Sequence, residues 1–402
     1  MSGEPLWSPL DPKHVADPYA MYSRLRERGP VHKAQTGEFI LTRYSDVKSV
    51  LKSNEYRSGN RLEWLSRGIE YFKNQDEDLG NIYKAINTFL LFLNPPDHLP
   101  IRNMVIKTWD DREVLAMIEA TTDELLKDCN GSFDLIKDYA QLLPAIVISR
   151  IMGIPMEDYR HLRNLGGTMM RSLNLYHSWK ELVELNETSG AFVKYFAGLL
   201  EVKRNHPDHG IVSRLLIANQ REKLLRDEQL VSLLIFLFIA GEETTASTIG
   251  TGLYNLIRYP EAYNQLRKHP GIIAATGADE VLRFDGPVQL LGRITKSESV
   301  LGGVTIPANS ALTLVLGSAN RDPSQFEEPD VINLQRSPNQ HLAFGYGTHF
   351  CLGEWLGKLQ ARIAIERFIA KFEKATVPEQ QIEWNKNLSV RAMKSLIVNT
   401  LS

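Results

Sequence analysis

The strongest chemical signal in this sequence is the segment 344–353, FGYGTHFCLG, in which three glycines surround Cys351. Glycine permits the positive φ angles and close backbone approach of a tight loop, and the amphipathic segment after it predicts a helix. Loop N–H groups and the helix dipole would stabilise a thiolate at Cys351. That thiolate would act as a soft metal ligand or a nucleophile, whereas the simpler interpretation is a small buried side chain.

The number of cysteines restricts which metal group such a thiolate could bind. Zinc sites with thiolate ligands combine several cysteines or histidines at short spacing, and iron–sulfur clusters take four cysteines. The only other cysteine in the chain is Cys129, which precedes a predicted Asn-Gly turn and has no evident partner. A haem iron takes one axial thiolate, so haem is the metal group that suits a lone cysteine.

Two further spacings place charged side chains on one helical face. His98 and Arg102, at i and i+4 after NPPD, could bind carboxylates together or form an ordinary solvated pair. Glu280 and Arg283, at i and i+3, usually indicate a surface ion pair when the pattern stands alone.

A long helix is predicted from Asp227 to about Arg258, and its first half is apolar nearly all round, as in a core helix. Its middle nevertheless holds AGEETTAS, and buried carboxylates are costly without partners. Either the helix emerges into solvent there, or its hydrogen-bond ladder opens and hydroxyl groups bind the freed carbonyl oxygens.

Composition limits the class of protein. The 402 residues are 43% hydrophobic and carry a net charge of −2, which supports a sizeable core and gives no indication of nucleic-acid binding. Two cysteines fit a reducing cytoplasm. The N-terminus lacks the pattern of a signal peptide or membrane anchor, and the apolar run 230–241 is too short to span a bilayer. We expect one cytoplasmic domain over residues 1–402, without repeats or a membrane anchor.

Hydrophobic periodicity predicts mostly helices. Helices are expected at 18–28, at 44–53 with Ser45 as N-cap, and at 134–153 with Pro144 inside. A hairpin is expected around Thr36-Gly37, and short strands after Pro287. The C-terminal segment after residue 383 is predicted to be another hairpin.

The cysteine segment resembles the haem-binding loop of the cytochrome P-450 superfamily, F-G-x-G-x-H-x-C-L-G in soluble bacterial members. The resemblance extends from the N-terminal hairpin to the C-terminus. It implies a mainly α fold with a small β-rich region and a haem b buried between the long central helix and the cysteine loop. Cys351 would be the iron ligand. The matching residues are Phe344, Gly345, Gly347, His349, Cys351, Leu352 and Gly353.

The middle of the predicted long helix resembles the superfamily's oxygen-activation motif, A/G-G-x-D/E-T-T/S. The resemblance implies that Ala240 and Gly241 leave room for dioxygen, that Glu243 is the acid, and that Thr244 is the alcohol of a proton relay. Glu242 occupies the variable position of the motif, and no role is assigned to it.

The resemblance also implies roles for the other charged residues. His98, Arg102, Arg293 and His349 would bind the haem propionates, while Glu280 and Arg283 would form a buried network with Arg336. Segments 56–93 and 166–179 would lie over the substrate pocket, the second as a mobile lid. The further pocket candidates, from the resemblance and from helical spacing, are Phe236, Ile239, Val288, Gln289, Leu291 and Met393.

The implied activity is that of a haem-thiolate monooxygenase acting on an apolar or amphipathic small molecule by hydroxylation or epoxidation. We expect no fused reductase domain, so a separate ferredoxin or flavodoxin with its reductase would supply electrons to a monomer. Arg112, Lys358 and Arg362 could dock that partner or be ordinary solvated charges. The alternatives are a peroxide-driven peroxygenase, a non-catalytic haem sensor, and, more remotely, a cysteine hydrolase with His349 as base.

Overall fold

The computed structural model describes residues 7–9, 11–59, 78–109, 113–174, 177–385 and 387–401, most of which are helical. Residues 135–140 and 273–277 form π-helical turns, and 171–173 and 347–349 form 3-10 turns. The helices of these ranges are α1 (Pro12–Ala16), α2 (Tyr19–Arg28), α3 (Tyr44–Lys52), α4 (Gly80–Ile86), α5 (His98–Lys107), α6 (Val114–Asp128), α7 (Leu142–Met152), α8 (Tyr159–Met170), α9 (Trp179–Asn205), α10 (Ile211–Glu222), α11 (Asp227–Arg258), α12 (Pro260–Lys268), α13 (Ala278–Asp285), α14 (Leu316–Ala319) and α15 (Glu354–Lys371).

The described strands form three small sheets. The largest has the order β1-β2-β8-β5-β3, in which β2 runs parallel to β8 and the other pairs are antiparallel. The second has the order β4-β10-β9, and β6 pairs with β7. The strands are β1 (Val31–Lys33), β2 (Phe39–Leu41), β3 (Tyr56–Arg57), β4 (Ser132–Asp134), β5 (Leu290–Thr295), β6 (Ser299–Leu301), β7 (Val304–Ile306), β8 (Ala311–Val315), β9 (Lys374–Thr376) and β10 (Ile397–Leu401).

The chain forms two compact units, with boundaries after Arg57, Thr121, Leu142 and Glu243. The second and the fourth of these boundaries fall well inside α6 and α11. Unit 1 comprises Met1–Arg57, Thr122–Leu142 and Thr244–Ser402, and it includes the described strands and the cysteine loop. Unit 2 comprises Ser58–Thr121 and Leu143–Glu243, and its helices enclose an aromatic core built on Phe192, Phe196 and Phe238. The expectation of a single domain stays a prediction.

Several predicted elements are present. Helix α2 and the β1–β2 hairpin lie where expected, and Gly37 at the hairpin turn has a φ of +96°. Helix α3 lies where predicted, but its N-cap is Arg43, two residues before the predicted Ser45. The C-terminal hairpin prediction was incomplete, because β10 pairs with β4 and β9.

The single helix predicted over 134–153 is wrong. A π-helical turn ends at Ala140, and α7 starts afresh at Leu142. Pro144 therefore lies in the first turn of α7, where its missing N–H group leaves no hydrogen bond unmade.

Helix α11 is uninterrupted over its 32 residues, so the predicted opening of its hydrogen-bond ladder does not break the helix. Its most apolar window is long enough to cross a bilayer, but 72% of that window is buried within the protein. Burial of this kind is typical of a core helix.

Candidate functional site

Two left-handed glycines shape the cysteine loop. Gly345 and Gly347 have φ angles of +70° and +73°, and a Cβ atom on Gly347 would lie 2.4 Å from the Leu51 carbonyl oxygen of α3. The Cys351 N–H donates a 3.0 Å hydrogen bond to the Phe344 carbonyl oxygen, which closes the loop. Cys351 is exposed, and α15 begins three residues later at Glu354. The loop thus presents a thiol close to a helix N-terminus, as the sequence predicts.

Helix α15 packs against α11 through a residue without a side chain. The β position of Gly357 lies 3.7 Å from Thr245 Oγ1 and 4.0 Å from Phe344 Cε1. Within unit 1, this contact brings the segment that starts at Thr244 onto the helix that follows the cysteine loop.

Half-buried residues form a strip along the middle of α11, and the other positions in this part of the helix are buried. Phe236, Ala240 and Thr244 recur every four residues, with Gly241 and Glu243 beside them. This spacing follows one face of an α-helix. The Thr248 hydroxyl also donates a 2.9 Å hydrogen bond to the Thr244 carbonyl oxygen, in the manner expected of hydroxyls in this motif.

Ile239 was predicted to share the face of Thr244, and that prediction is wrong. Its side chain is buried, with 1% of its surface exposed. Five residues separate it from Thr244, which amounts to about 140° around an α-helix.

Glu280, Arg283 and Arg336 form a buried network. Arg283 donates two hydrogen bonds of 2.8 Å to the Glu280 carboxylate, and Arg336 Nε donates a third of 3.1 Å. The side chains of Glu280 and Arg283 are fully buried. The Asn339 amide and the Asn333 N–H also donate to this carboxylate, and the sequence did not indicate either contact.

Arg293 provides a test of whether unit 1 suits a haem propionate. The residue lies on β5, is 5% exposed, and has its pKa lowered to about 10 by burial. Within the described ranges, its guanidinium donates one hydrogen bond, to the Gly292 carbonyl oxygen, and has no carboxylate partner. A buried cation without a counter-charge is costly, so an anionic group brought by a cofactor fits this position.

The remaining propionate candidates occupy both units. His349 is half-buried at the end of a 3-10 turn in the cysteine loop. In unit 2, α5 begins at His98, which is 1% exposed, and Arg102 is half-buried one turn later. Because His98 is buried, His98 and Arg102 are not the ordinary solvated pair that their spacing alone would allow.

The other pocket candidates have different surroundings. Val288 and Leu291 are half-buried against a hydrophobic cluster, and Leu291 Cδ1 lies 3.9 Å from the β position of Gly345. Gln289 is 3% exposed, and its amide group donates a hydrogen bond to the Gly286 carbonyl oxygen. It is more buried than its neighbour Val288, because successive side chains of an extended segment face opposite sides. Met393 is buried, with its methyl group 3.9 Å from the β position of Gly250 on α11.

A second buried network centres on Asp285, and the sequence analysis did not predict it. Its carboxylate accepts hydrogen bonds of 2.7 Å from the Tyr19 hydroxyl, 2.9 Å from Arg391 Nε and 3.2 Å from the Asn255 amide. Burial raises the pKa of Tyr19 far above its ordinary range. The network joins α2, the C-terminal half of α11 and the segment near 391.

The proposed docking and lid residues are only partly described. Lys358 forms ion pairs of 2.9 Å with Asp279 and 3.3 Å with Glu354, and Arg362 is half-buried. Arg112, residues 60–77 of the first pocket segment, and residues 175–176 of the lid segment lie outside the described residues.

Comparisons with known proteins agree with this arrangement. The family model described as "Cytochrome P450" matches residues 171–269 and 278–399. The biotin biosynthesis cytochrome P450 of Bacillus subtilis (strain 168) is 31% identical over 96% of each chain, and the vitamin D(3) 25-hydroxylase of Pseudonocardia autotrophica is 31% identical over 88% of this chain and 86% of its own. The crystal structure of P450BioI with an acyl carrier protein superposes with a TM-score of 0.88 at 29% identity, covering 97% of this chain and 99% of the other.

The fold and the cysteine loop define a haem-thiolate protein. The chain belongs to the cytochrome P-450 family, whose haem iron carries a cysteine thiolate ligand. It is a monooxygenase of that family.

Proposed function

We propose that Cys351 is the thiolate ligand and that Glu243 and Thr244 deliver protons during oxygen insertion into an apolar or amphipathic small molecule. The observation that carries this proposal is the approach of Gly357 to Thr245, whose Oγ1 lies 3.7 Å from the β position of the glycine. It ties the Thr244 segment to the helix that follows the Cys351 loop.

The reaction requires two electrons, two protons and dioxygen, and it releases one oxygen atom as water. When bound, the haem supplies the dioxygen binding and redox chemistry that no side chain of this protein provides. Cys351 would hold the haem iron through its thiolate, which would supply electron density to it. The Glu243 carboxyl takes protons from water and passes them to the Thr244 hydroxyl, which holds a proton at the reacting oxygen.

Four cations would bind the propionates by charge-assisted hydrogen bonds. Arg293 is the strongest of these candidates, because its buried guanidinium has no carboxylate partner in the described chain. We assign the same role to His349, His98 and Arg102 from the sequence pattern. Phe344 would pack against the haem beside Cys351.

The apolar lining of α11 supports the proposed substrate class. Phe236 is half-buried, and its ring lies 5.2 Å from that of Phe89, which stacks on Phe92. Aromatic surfaces of this kind favour apolar ligands. The relative named as a vitamin D(3) hydroxylase points to the same class. Val288, Leu291 and Met393 remain pocket candidates.

Electrons would come from a separate ferredoxin or flavodoxin with its reductase, in a monomeric cytoplasmic protein. Arg362 and Lys358 remain docking candidates on α15. The ion pairs of Lys358 with Asp279 and Glu354 reduce its availability, so Arg362 is the better test of docking.

The test is a comparison of Thr244→Ala with wild type, using a surrogate ferredoxin, its reductase, NADPH and a substrate found by its haem spin-state shift. We expect the variant to keep consuming NADPH while releasing more of the electrons as hydrogen peroxide. Thr251→Ala is the control, because the Thr251 hydroxyl bonds only backbone carbonyl oxygens in the described structure.

Unchanged coupling in Thr244→Ala would remove Thr244 from the relay. Full turnover with hydrogen peroxide alone, and none with NADPH, would support the peroxygenase alternative. A haem-loaded protein that accepts electrons but never reduces dioxygen would support a sensor.

A further inference from the structure

Glu242 occupies the variable position of the oxygen-activation motif, yet it is one of the most deeply buried acidic side chains described in unit 2. The residue is 3% exposed, and its Oε2 atom has no hydrogen-bond partner among the described residues. Its neighbours at 241 and 243 are half-buried. A carboxylate without partners is too costly to keep in such a place, so the neutral acid is favoured.

The Glu242 side chain ends against helix α8. An added Cβ atom on Gly166 would lie 2.6 Å from Glu242 Oε2, which is closer than two such atoms approach. Gly166 is itself buried in the middle of α8. The close approach of α8 to α11 at this point therefore depends on a glycine on one helix and an acid on the other.

The neighbouring Gly167 shows that this dependence is local. It lies on the exposed side of α8, and an added Cβ atom would have no neighbour within 4 Å. Two adjacent glycines thus differ in one respect that can be tested, namely contact with Glu242.

Few charged groups act on Glu242. Burial raises its pKa well above the ordinary value, the Glu243 carboxylate on its own helix raises it further, and Arg163 on α8 lowers it. Helix α7 presents an apolar side chain nearby, since Ile148 Cδ1 lies 3.0 Å from the β position of Gly241. Among the described residues, Arg163 is the cation that acts on Glu242, so loss of the Glu242 proton would leave a charge for Arg163 or entering water to compensate.

We propose that Glu242 and Gly166 form a latch that holds α8 against α11 while the Glu242 carboxyl carries a proton. Ionisation of Glu242, as pH rises, releases α8. Because residues 166–170 of α8 belong to the segment assigned to the lid, release would free the start of that segment and open the access route of the substrate. That last consequence rests on the lid role that the resemblance implies, whereas the latch itself does not.

A double-mutant cycle on the haem-loaded protein tests the contact. Gly166→Ala should lower the folding equilibrium constant on the order of fivefold, because the new methyl group must displace a buried carboxyl. In a Glu242→Ala background the space is free, so the same change should instead raise the constant as Gly167→Ala does. Gly167→Ala should raise the constant about fourfold in both backgrounds, because alanine favours helix over glycine. Equal effects of Gly166→Ala in the two backgrounds would overturn the contact.

Amide hydrogen exchange of residues 159–170 tests the proton dependence. After correction for the intrinsic rate at each pH, protection of α8 should fall with rising pH in wild type and stay constant in Glu242→Gln, whose amide cannot ionise. Glu201→Gln, which changes an exposed carboxyl on α9, should behave like wild type. The same loss of protection in Glu242→Gln as in wild type would overturn the latch.

Discussion

Two buried glutamates of this protein are stabilised in opposite ways. In unit 1, Glu280 accepts hydrogen bonds from Arg283, Arg336 and Asn339. In unit 2, Glu242 has an Oε2 atom that accepts none within the described structure, and it packs against a glycine. Both residues are almost completely removed from solvent.

The difference separates a permanent charge from a conditional one. Two guanidinium groups compensate the Glu280 charge, and removing that carboxylate leaves both of them buried without a counter-charge. Glu242 has no such partners, so its surroundings favour the neutral acid and its contact depends on a proton. We infer that the first arrangement provides rigidity and the second permits adjustment. Four substitutions test this contrast.

The largest effect is expected at the paired glutamate. Glu280→Gln should lower the free energy of unfolding by about 3–5 kcal/mol, because it leaves two buried guanidinium groups without a full counter-charge. Denaturant unfolding and the yield of haem-loaded protein are the measurements, with exposed Glu201→Gln as control. A loss no greater than that of the control would mean that the network does not stabilise the fold.

Removal of the third member should cost less. Arg336→Ala deletes one hydrogen bond to Glu280 and those to the carbonyl oxygens of Glu327 and Glu328, while the Arg283–Glu280 pair remains. We expect a loss of about 1–3 kcal/mol in the same unfolding assay. A loss as large as that of Glu280→Gln would show that Arg283 alone cannot hold the carboxylate.

Substitution of Glu242 by glutamine should raise the free energy of unfolding, whereas the substitutions around Glu280 lower it. The raised pKa of Glu242 means that the folded state keeps a proton that the unfolded state releases above about 4.5. Wild-type stability therefore falls as pH rises from that value toward the folded-state pKa. Glu242→Gln removes this fall, so its advantage over wild type should grow by at most about 1.4 kcal/mol per pH unit. Thermal unfolding of wild type and Glu242→Gln, from about pH 5 to about pH 8, measures this difference. Stability curves that stay parallel over the range would contradict the account.

The smallest effect is expected from a neutral partner of Glu280. Asn339→Ala removes one 3.1 Å hydrogen bond and leaves both arginines in place. We expect a loss of about 0.5–1.5 kcal/mol in denaturant unfolding. A larger loss would place Asn339 among the essential members of the network, which the sequence pattern did not indicate.

The features that could be predicted depend on the spacing of residues that are close together in the sequence. The cysteine loop needs glycines at fixed positions before Cys351, and the Glu280–Arg283 pair lies within one helical turn, so both were visible in the sequence. The half-buried strip on α11 was predictable for Phe236 and Ala240 for the same reason.

The remainder depends on contacts between distant segments. The burial of Glu242 requires Gly166 on another helix, and two donors of the Asp285 network, Tyr19 and Arg391, come from near opposite ends of the chain. Periodicity cannot reveal such partners. It also failed for Ile239, where a broad apolar face hid the true orientation, and at Pro144, where a π-helical turn shifted the helix start.

The assignment of Cys351 as the iron ligand is tested most directly by the carbon-monoxide difference spectrum of the dithionite-reduced protein. Wild type should show the red-shifted Soret band of a thiolate-ligated haem. The two cysteines of the chain supply a matched pair of variants, since Cys129→Ala should keep that band and Cys351→Ala should lose it. Survival of the band in Cys351→Ala, or its absence from a haem-loaded wild type, would contradict the assignment.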